Sequence, residues 1–189
     1  MKKSAPFILL YFLISVAIAQ SGNEKWSIKD NSTLNINGKS NINTFQCSYE
    51  KAFQSSQVLV EDSLGTLLFT QGMVFFEVAS FRCGHARMTA DFRQTMKAKS
   101  YPLLKMEISK IVQTEEGCVM GLLLTVAGQK RAKQIALEVC KVFTNQIIIE
   151  GRYTMKMRDY GLTPPNVLWG MIKVSDEIEI DFSFYLENK

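Results

Sequence analysis

Residues 159–186 read DYGLTPPNVLWGMIKVSDEIEIDFSFYL, and the second half of that stretch decides the fold. Ile178, Ile180, Phe182, Phe184 and Leu186 take one parity; Glu177, Glu179, Asp181, Ser183 and Tyr185 take the other. Successive strand side chains point to opposite faces, so this period of two marks a strand with one face on a core and one toward water. The first half is irregular by composition. Pro164 and Pro165 carry no amide hydrogen, and Thr163, preceding a proline, is kept out of the helical region. A loop therefore delivers a long closing strand.

The same period recurs upstream. Trp26 and Ile28 open one segment; Leu34, Ile36 and Gly38 alternate with Asn35 and Asn37; Phe45, Cys47 and Tyr49 alternate with Gln46, Ser48 and Glu50. Leu104, Met106 and Ile108 alternate with Lys105, Glu107 and Ser109, and residues 147–158 repeat the pattern. Gly72, between TLLFTQ and MVFFEVASF, is expected to turn a hairpin, and residues 119–126 and 135–142 a second one centred on Gly128-Gln129. Residues 54–63 have no clear period. One helix is expected over Ala90 to Lys99: Met88, Phe92 and Met96 recur at helical spacing, lysines crowd its end, and Tyr101-Pro102 stops it.

The sum is an all-β chain of about eight antiparallel strands with one short α-helix. Long strands joined as hairpins favour a closed barrel over a sandwich, because closure removes exposed edges. An eight-stranded barrel can hold one small ligand along its axis.

The chain opens with MKKSAPFILLYFLISVAIAQ. Lys2 and Lys3, an apolar run from Phe7 to Ile18 and Ala17-x-Ala19 form a bacterial-type secretory signal, expected to be cut after Ala19. The run is shorter than the roughly 20 residues a membrane span needs. The expected product is one domain over 20–189, periplasmic or secreted, with no integral membrane span after cleavage. Loss of Lys2 and Lys3 takes 22 basic residues to 20 against 18 acidic ones, near +2, which gives no reason to expect a nucleic-acid partner.

Cys47, Cys83, Cys118 and Cys140 all lie in the exported part, where disulfides persist. Cys118 and Cys140 are each eleven residues from Gln129, so a hairpin centred there sets them opposite one another; the remaining pair would be Cys47 with Cys83. The alternative is that they are small buried residues or free thiols. Their spacing matches no zinc pattern and no cofactor is implied. The single histidine, His85, lies two residues from Cys83, which raises a thiol and base pair; Gly84 between them points instead to a solvated loop histidine. No G-x-S-x-G, H-E-x-x-H or phosphate-binding glycine loop occurs. Glu177, Glu179 and Asp181 form the wet face of a strand. The chain is read as a non-enzyme.

Three segments carry a resemblance: STLNINGKSNINTFQC from Ser32 to Cys47, FEVASFRCGHARMTADFRQTMKAKSYP in the middle, and the quoted 159–184 stretch. In order and spacing they resemble the YceI-like, lipid or polyisoprenoid-binding proteins, closest to the shorter exported forms of Bacteroidetes. The resemblance implies a lipocalin-like barrel whose apolar tunnel takes a polyprenyl chain or another long lipid, in a carrier or sequestering protein without catalytic residues or metal. By motif position it implies ligand contacts at Phe45, Phe76, Val78, Met88, Phe92, Met96 and Tyr101, to which the closing strand adds Phe182 and Phe184. Arg82, Arg87, Arg152 and Arg158 flank these segments and are the candidates for a phosphate head group, or else solvated surface residues. The competing expectation is a solid-core barrel serving as a structural or protein-interaction module in the periplasm. Either reading is compatible with a homodimer.

Overall fold

The computed structural model describes residues 24–53, 58–63, 65–167 and 171–188; the expected signal segment 1–19 lies outside the described residues. The strands are β1 (Glu24–Ile28), β2 (Thr33–Ser40), β3 (Thr44–Tyr49), β4 (Val58–Ser63), β5 (Thr66–Glu77), β6 (Phe81–Cys83), β7 (Leu103–Thr114), β8 (Gly117–Val126), β9 (Gln129–Val142), β10 (Gln146–Lys156), β11 (Asn166–Val167) and β12 (Ile172–Asn188). One helix, α1, runs from Ala86 to Thr95. Among the described residues no helix is long and apolar enough to cross a membrane.

Eight strands close a ring in the order β1-β4-β5-β7-β8-β9-β10-β12, with β12 returning to β1. Every pairing is antiparallel. The strand whose pattern opened the sequence analysis makes this closure. β12 is 17 residues long, and one edge pairs with β10 from Lys156↔Glu177 to Gln146↔Glu187. Its other edge is shared. The last residues pair with β1 and residues 174–183 pair with β2. β1 and β2 are thus two pieces of one wall strand, broken where the Lys29 amide donates to the Tyr185 carbonyl and the Tyr185 amide donates to Ser32 Oγ, both near 3 Å. Beyond the break the wall divides: β1 continues to β4, and β2 leads away through β3 to β6. α1 follows β6 and covers the inner face of that diverging branch.

The interior differs from end to end. On the β1 side it is filled by aromatic rings: Phe184 lies 5.2 Å from Phe182, 5.8 Å from Phe53 and 6.3 Å from Phe76 between ring centres. Such offset and edge-on pairs add to the area they bury.

Three expectations about local structure are corrected. Gly72 turns no hairpin. β5 passes straight through it, and a Cβ there would collide with the Ile108 carbonyl of β7 where the register shifts, so the glycine permits a close backbone approach. The hairpin lies earlier, between β4 and β5. The helix starts four residues sooner than expected because His85 caps it, the Met88 amide donating to Nδ1 at 3.3 Å; it ends at Thr95, and Lys97 then turns left-handed with φ 53°.

The third correction concerns the β8–β9 register. Ala127 and Gly128, with φ 47° and 79°, form the two-residue turn that suits strand twist, so Val126 faces Gln129 and Cys118 faces Leu137. Cys140 is not opposite Cys118. A bulge between the Val139↔Glu150 and Leu137↔Gly151 pairs inserts one residue in β9 and returns Cys140 to the inner face beside Ile149. There it is disulfide-bonded to Cys118, with Cα atoms 6.2 Å apart. Cys47 and Cys83, directly opposite in β3 and β6, form the second bridge.

Candidate functional site

The branch point leaves a space between β2–β3, α1 and the beginning of β12. Ile36, Phe45 and Cys47 project into it from β2 and β3. Gly38 makes room for this: a Cβ there would strike the Phe45 ring, which lies across β2. α1 supplies Met88 and Phe92, and its C-cap supplies Met96; positions i, i+4 and i+8 form one stripe on the face toward the barrel. Met157, Pro165, Ile172, Val174 and Ile178 form the opposite wall. The result is an apolar cavity of about 450 Å³, within the range of small-molecule sites.

Polar groups sit at its mouth and already have partners. Ser40 Oγ donates to Asn43 Oδ1 at 2.7 Å, fixing the β2–β3 turn. Arg87, 79% exposed, lies 3.4 Å from Asp91 one helical turn on. His85 is committed to capping α1. The thiol and base pair raised by the sequence does not form, because Cys83 is bonded to Cys47. Among the described residues no three His, Cys, Asp or Glu side chains converge on a common point. Such a lining can hold an apolar molecule by shape and desolvation.

A second, smaller apolar cavity of about 50 Å³ lies deeper along the barrel axis, among Leu34, Phe76, Leu104, Met106, Leu124, Ile135, Met155 and Phe182. Tyr153 brings the one hydroxyl of its lining. Close to Tyr153, fully buried Tyr160 has no well-formed hydrogen bond for its own hydroxyl, and burial first, then its tyrosine neighbour, lifts its pKa far above that of an ordinary phenol. Ile36, Met96 and Ile178 line both cavities. These three side chains form the partition between them, and Met96 is its flexible member.

Of the nine residues singled out from the sequence, Phe45, Met88, Phe92 and Met96 line the outer cavity, and Phe76, Phe182 and Met96 line the inner one. Val78 and Phe184 touch neither; both are fully buried in the packed core. Tyr101 is 41% exposed, its ring against the Gly128 turn. The sequence reading missed Ile36, Met157, Pro165, Ile172, Val174 and Ile178. Ile36 and Ile178 were visible as inward positions of their strands, but parity does not report which inward residues border a void.

Three of the four arginines point away from the cavity. Arg152 lies on the outer wall, 2.8 Å from Asp181 and 3.4 Å from Glu179, and the Asp181 carboxylate holds its guanidinium more firmly protonated. Arg82 lies 3.8 Å from Glu50, and Arg158 the same distance from Asp176. Arg87 alone is on the cavity rim.

Comparison with known proteins places this geometry. A family model described as a YceI-like domain matches residues 20–186. Against curated proteins the sequence finds no match. Among solved structures, Burkholderia cenocepacia BcnA superposes with a TM-score of 0.63 at 17% identity, covering 82% of this chain and 95% of that one. A polyisoprenoid binding domain from Saccharophagus degradans, implicated in plant cell wall breakdown, gives 0.62 at 13% identity over 88% and 99%. The YCEI protein of Campylobacter jejuni gives 0.52 at 16% identity over 75% and 85%. At these identities the likeness is one of fold.

Proposed function

The chain belongs to the YceI-like family, and from that premise we propose that it is an exported, non-catalytic carrier or sequestering protein that holds the tail of a polyisoprenoid or another long-chain lipid. The observation that carries the proposal is the outer cavity: about 450 Å³ and lined mostly by apolar side chains from β2, β3, α1 and β12. The polyisoprenoid-binding structural relative supports the choice of ligand class.

The volume refines the ligand. At roughly 30 Å³ per carbon-sized group, the liquid share of a water molecule, the outer cavity takes about fifteen such groups. At about 0.8 kcal/mol each, their burial is a gross gain of about 12 kcal/mol. Association costs of about 4–15 kcal/mol leave a useful affinity only for a well-fitted chain. A longer tail reaches further by displacing Met96 toward the inner cavity or by leaving its remainder at the mouth.

The solid-core alternative has an observation in its favour as well, the ring cluster around Phe184, but Phe76 and Phe182 of that cluster themselves border the inner cavity. Expression in bacteria with the leader intact, fractionation, detergent-free purification and lipid mass spectrometry of an organic extract test the proposal. The expected result is folded protein in the periplasm or medium with a stoichiometric isoprenoid or long-chain lipid. A clean extract from folded protein overturns the carrier reading in favour of the interaction module.

A further inference from the structure

A lipid held in the outer cavity must enter through its mouth, so the chemistry of the mouth says where the protein meets its cargo. The geometry points to a membrane-docking lip there: Ile42 and Met171, flanked by Lys39 and Lys173, seat the mouth on an anionic lipid bilayer. The inference rests on the carrier reading and adds to it the surface from which cargo is taken or to which it is delivered.

Scattered exposed apolar residues are ordinary on protein surfaces. What decides here is position. Ile42 and Met171 are both 64% exposed, the highest values among the large apolar residues described, and they belong to two loops far apart in sequence. Asn41 clips those loops together. Its Nδ2 donates to the Met171 carbonyl at 2.9 Å, its Oδ1 accepts from the Lys173 amide at 2.8 Å, and its own amide donates to the Lys173 carbonyl at 3.1 Å. Three hydrogen bonds from Asn41 thus join the two segments that carry the exposed side chains of Ile42 and Met171. Ile42 also lines the cavity, so one side chain of the lip is shared with the site.

Charge selects the occupant. Lys39 and Lys173 are exposed and have no ion-pair partner among the described residues, while the nearby acids are turned elsewhere: Asp91 to Arg87 and Asp176 to Arg158, with Glu177 opposite Lys156 across the β10–β12 ladder. Apolar side chains between unpaired lysines match an interface where acyl chains lie beneath anionic head groups. The other exposed apolar sites lack this combination. Phe75 on the outer wall lies under Lys105, 5.8 Å from its ring centre, and Val142 and Phe143 sit at the β9–β10 turn; none of the three lines the outer or the inner cavity.

The test is flotation of the purified protein with vesicles of phosphatidylcholine alone or mixed with phosphatidylglycerol, beside retention of a prenyl alcohol offered in detergent micelles. Wild-type protein is expected to float with the mixed vesicles and to do so less in high salt. Met171→Asp should weaken that partition about tenfold or more, and Lys39→Gln with Lys173→Gln about fivefold per lysine on the anionic vesicles only. All three substitutions should leave prenyl retention from micelles intact. Wild-type protein that stays with the soluble fraction, or variants that float equally well, overturn the lip. Flotation that follows these expectations, without prenyl retention by the wild type, keeps the docking surface and removes the carrier reading.

Discussion

The two ends of β12 face different interiors. From Phe184 to Leu186 the inward side chains are fully buried, and Phe184 packs against the rings of Phe53, Phe76 and Phe182 without bordering either cavity. From Ile172 to Ile178 the same strand lines a 450 Å³ void. Apolar side chains do not separate the two, since Ile172, Val174 and Ile178 are as apolar as Phe184 and Leu186, although Asp176 interrupts the alternation where the register shifts. The neighbour does: the first segment runs from the Lys29–Ser32 break onto β1, where Leu186 pairs with Ile28 and the ring continues, and the second lies beside β2, which leads the wall away to β3, β6 and α1. One strand therefore anchors the fold at one end and borders the site at the other.

The sharpest way to break that contrast is to truncate a side chain at each end. Phe184→Ala removes a ring from a site that cannot collapse around the loss and should cost about 3–5 kcal/mol of unfolding free energy. Val174→Ala, which borders open volume and is only partly buried, should cost well under half as much. Urea unfolding followed by fluorescence measures both; equal losses would mean that the hollow end is packed as tightly as the solid one.

Next in size is the Cys47–Cys83 bridge, which closes a 36-residue separation between the diverging strands beneath α1. Replacing both cysteines with serine should cost about 3–4 kcal/mol. If the bridge also sets the cavity wall, prenyl retention by the folded fraction should fall with it. Retention unchanged at full folding would confine the bridge to a stabilising role.

A smaller effect tests the partition. Met96→Ala removes about three heavy atoms between the cavities, opening roughly 90 Å³ at the same liquid share per atom, and should move the preferred tail longer by a few carbons, about fourfold in affinity per added methylene. Met96→Trp should shift the preference to shorter tails. A chain-length series of prenyl alcohols reads both, and identical profiles would show that Met96 does not divide the space. Because Met96 is buried, each profile is to be taken on protein shown to be folded.

How far the residues themselves announced this arrangement varies by element. β12, β10 and β7 were legible because one face of each is buried and the other solvated, so the period of two survives in the sequence. The β5 strand was misread because Gly72 looks the same whether it turns a chain or admits a neighbouring carbonyl, and the difference lies with Ile108 on another strand. The helix start was hidden because histidine is an uncommon cap. The site was half legible. The stripe of Met88, Phe92 and Met96 identified one wall, whereas Ile172, Val174 and Met157 border the cavity only because β2 leaves the ring, and that branching is set by the break at Lys29–Ser32 rather than by any apolar pattern.

The smallest expected effect concerns the solid end, where Lys51 Nζ lies 2.6 Å from Glu77 Oε1 and ties the segment after β3 to the end of β5. The hydrogen bond from Lys51 holds the Glu77 carboxyl below its ordinary pKa of 4.5, and the same bond raises Lys51 above 10.5. Glu77, depressed on folding, stabilises above its unfolded pKa, and that contribution is lost as pH falls through the folded value. Lys51, raised on folding, stabilises below its unfolded pKa and loses this as pH climbs through the folded one. The pair therefore acts between about pH 4.5 and 10.5, and because both groups are solvent-exposed the effect is slight and screened by salt. Lys51→Met should lower the urea midpoint a little at neutral pH in low salt, with the difference closing in acid and in high salt. A difference that persisted at pH 3 would mean that Lys51 acts through the packing of its aliphatic stem rather than through its charge.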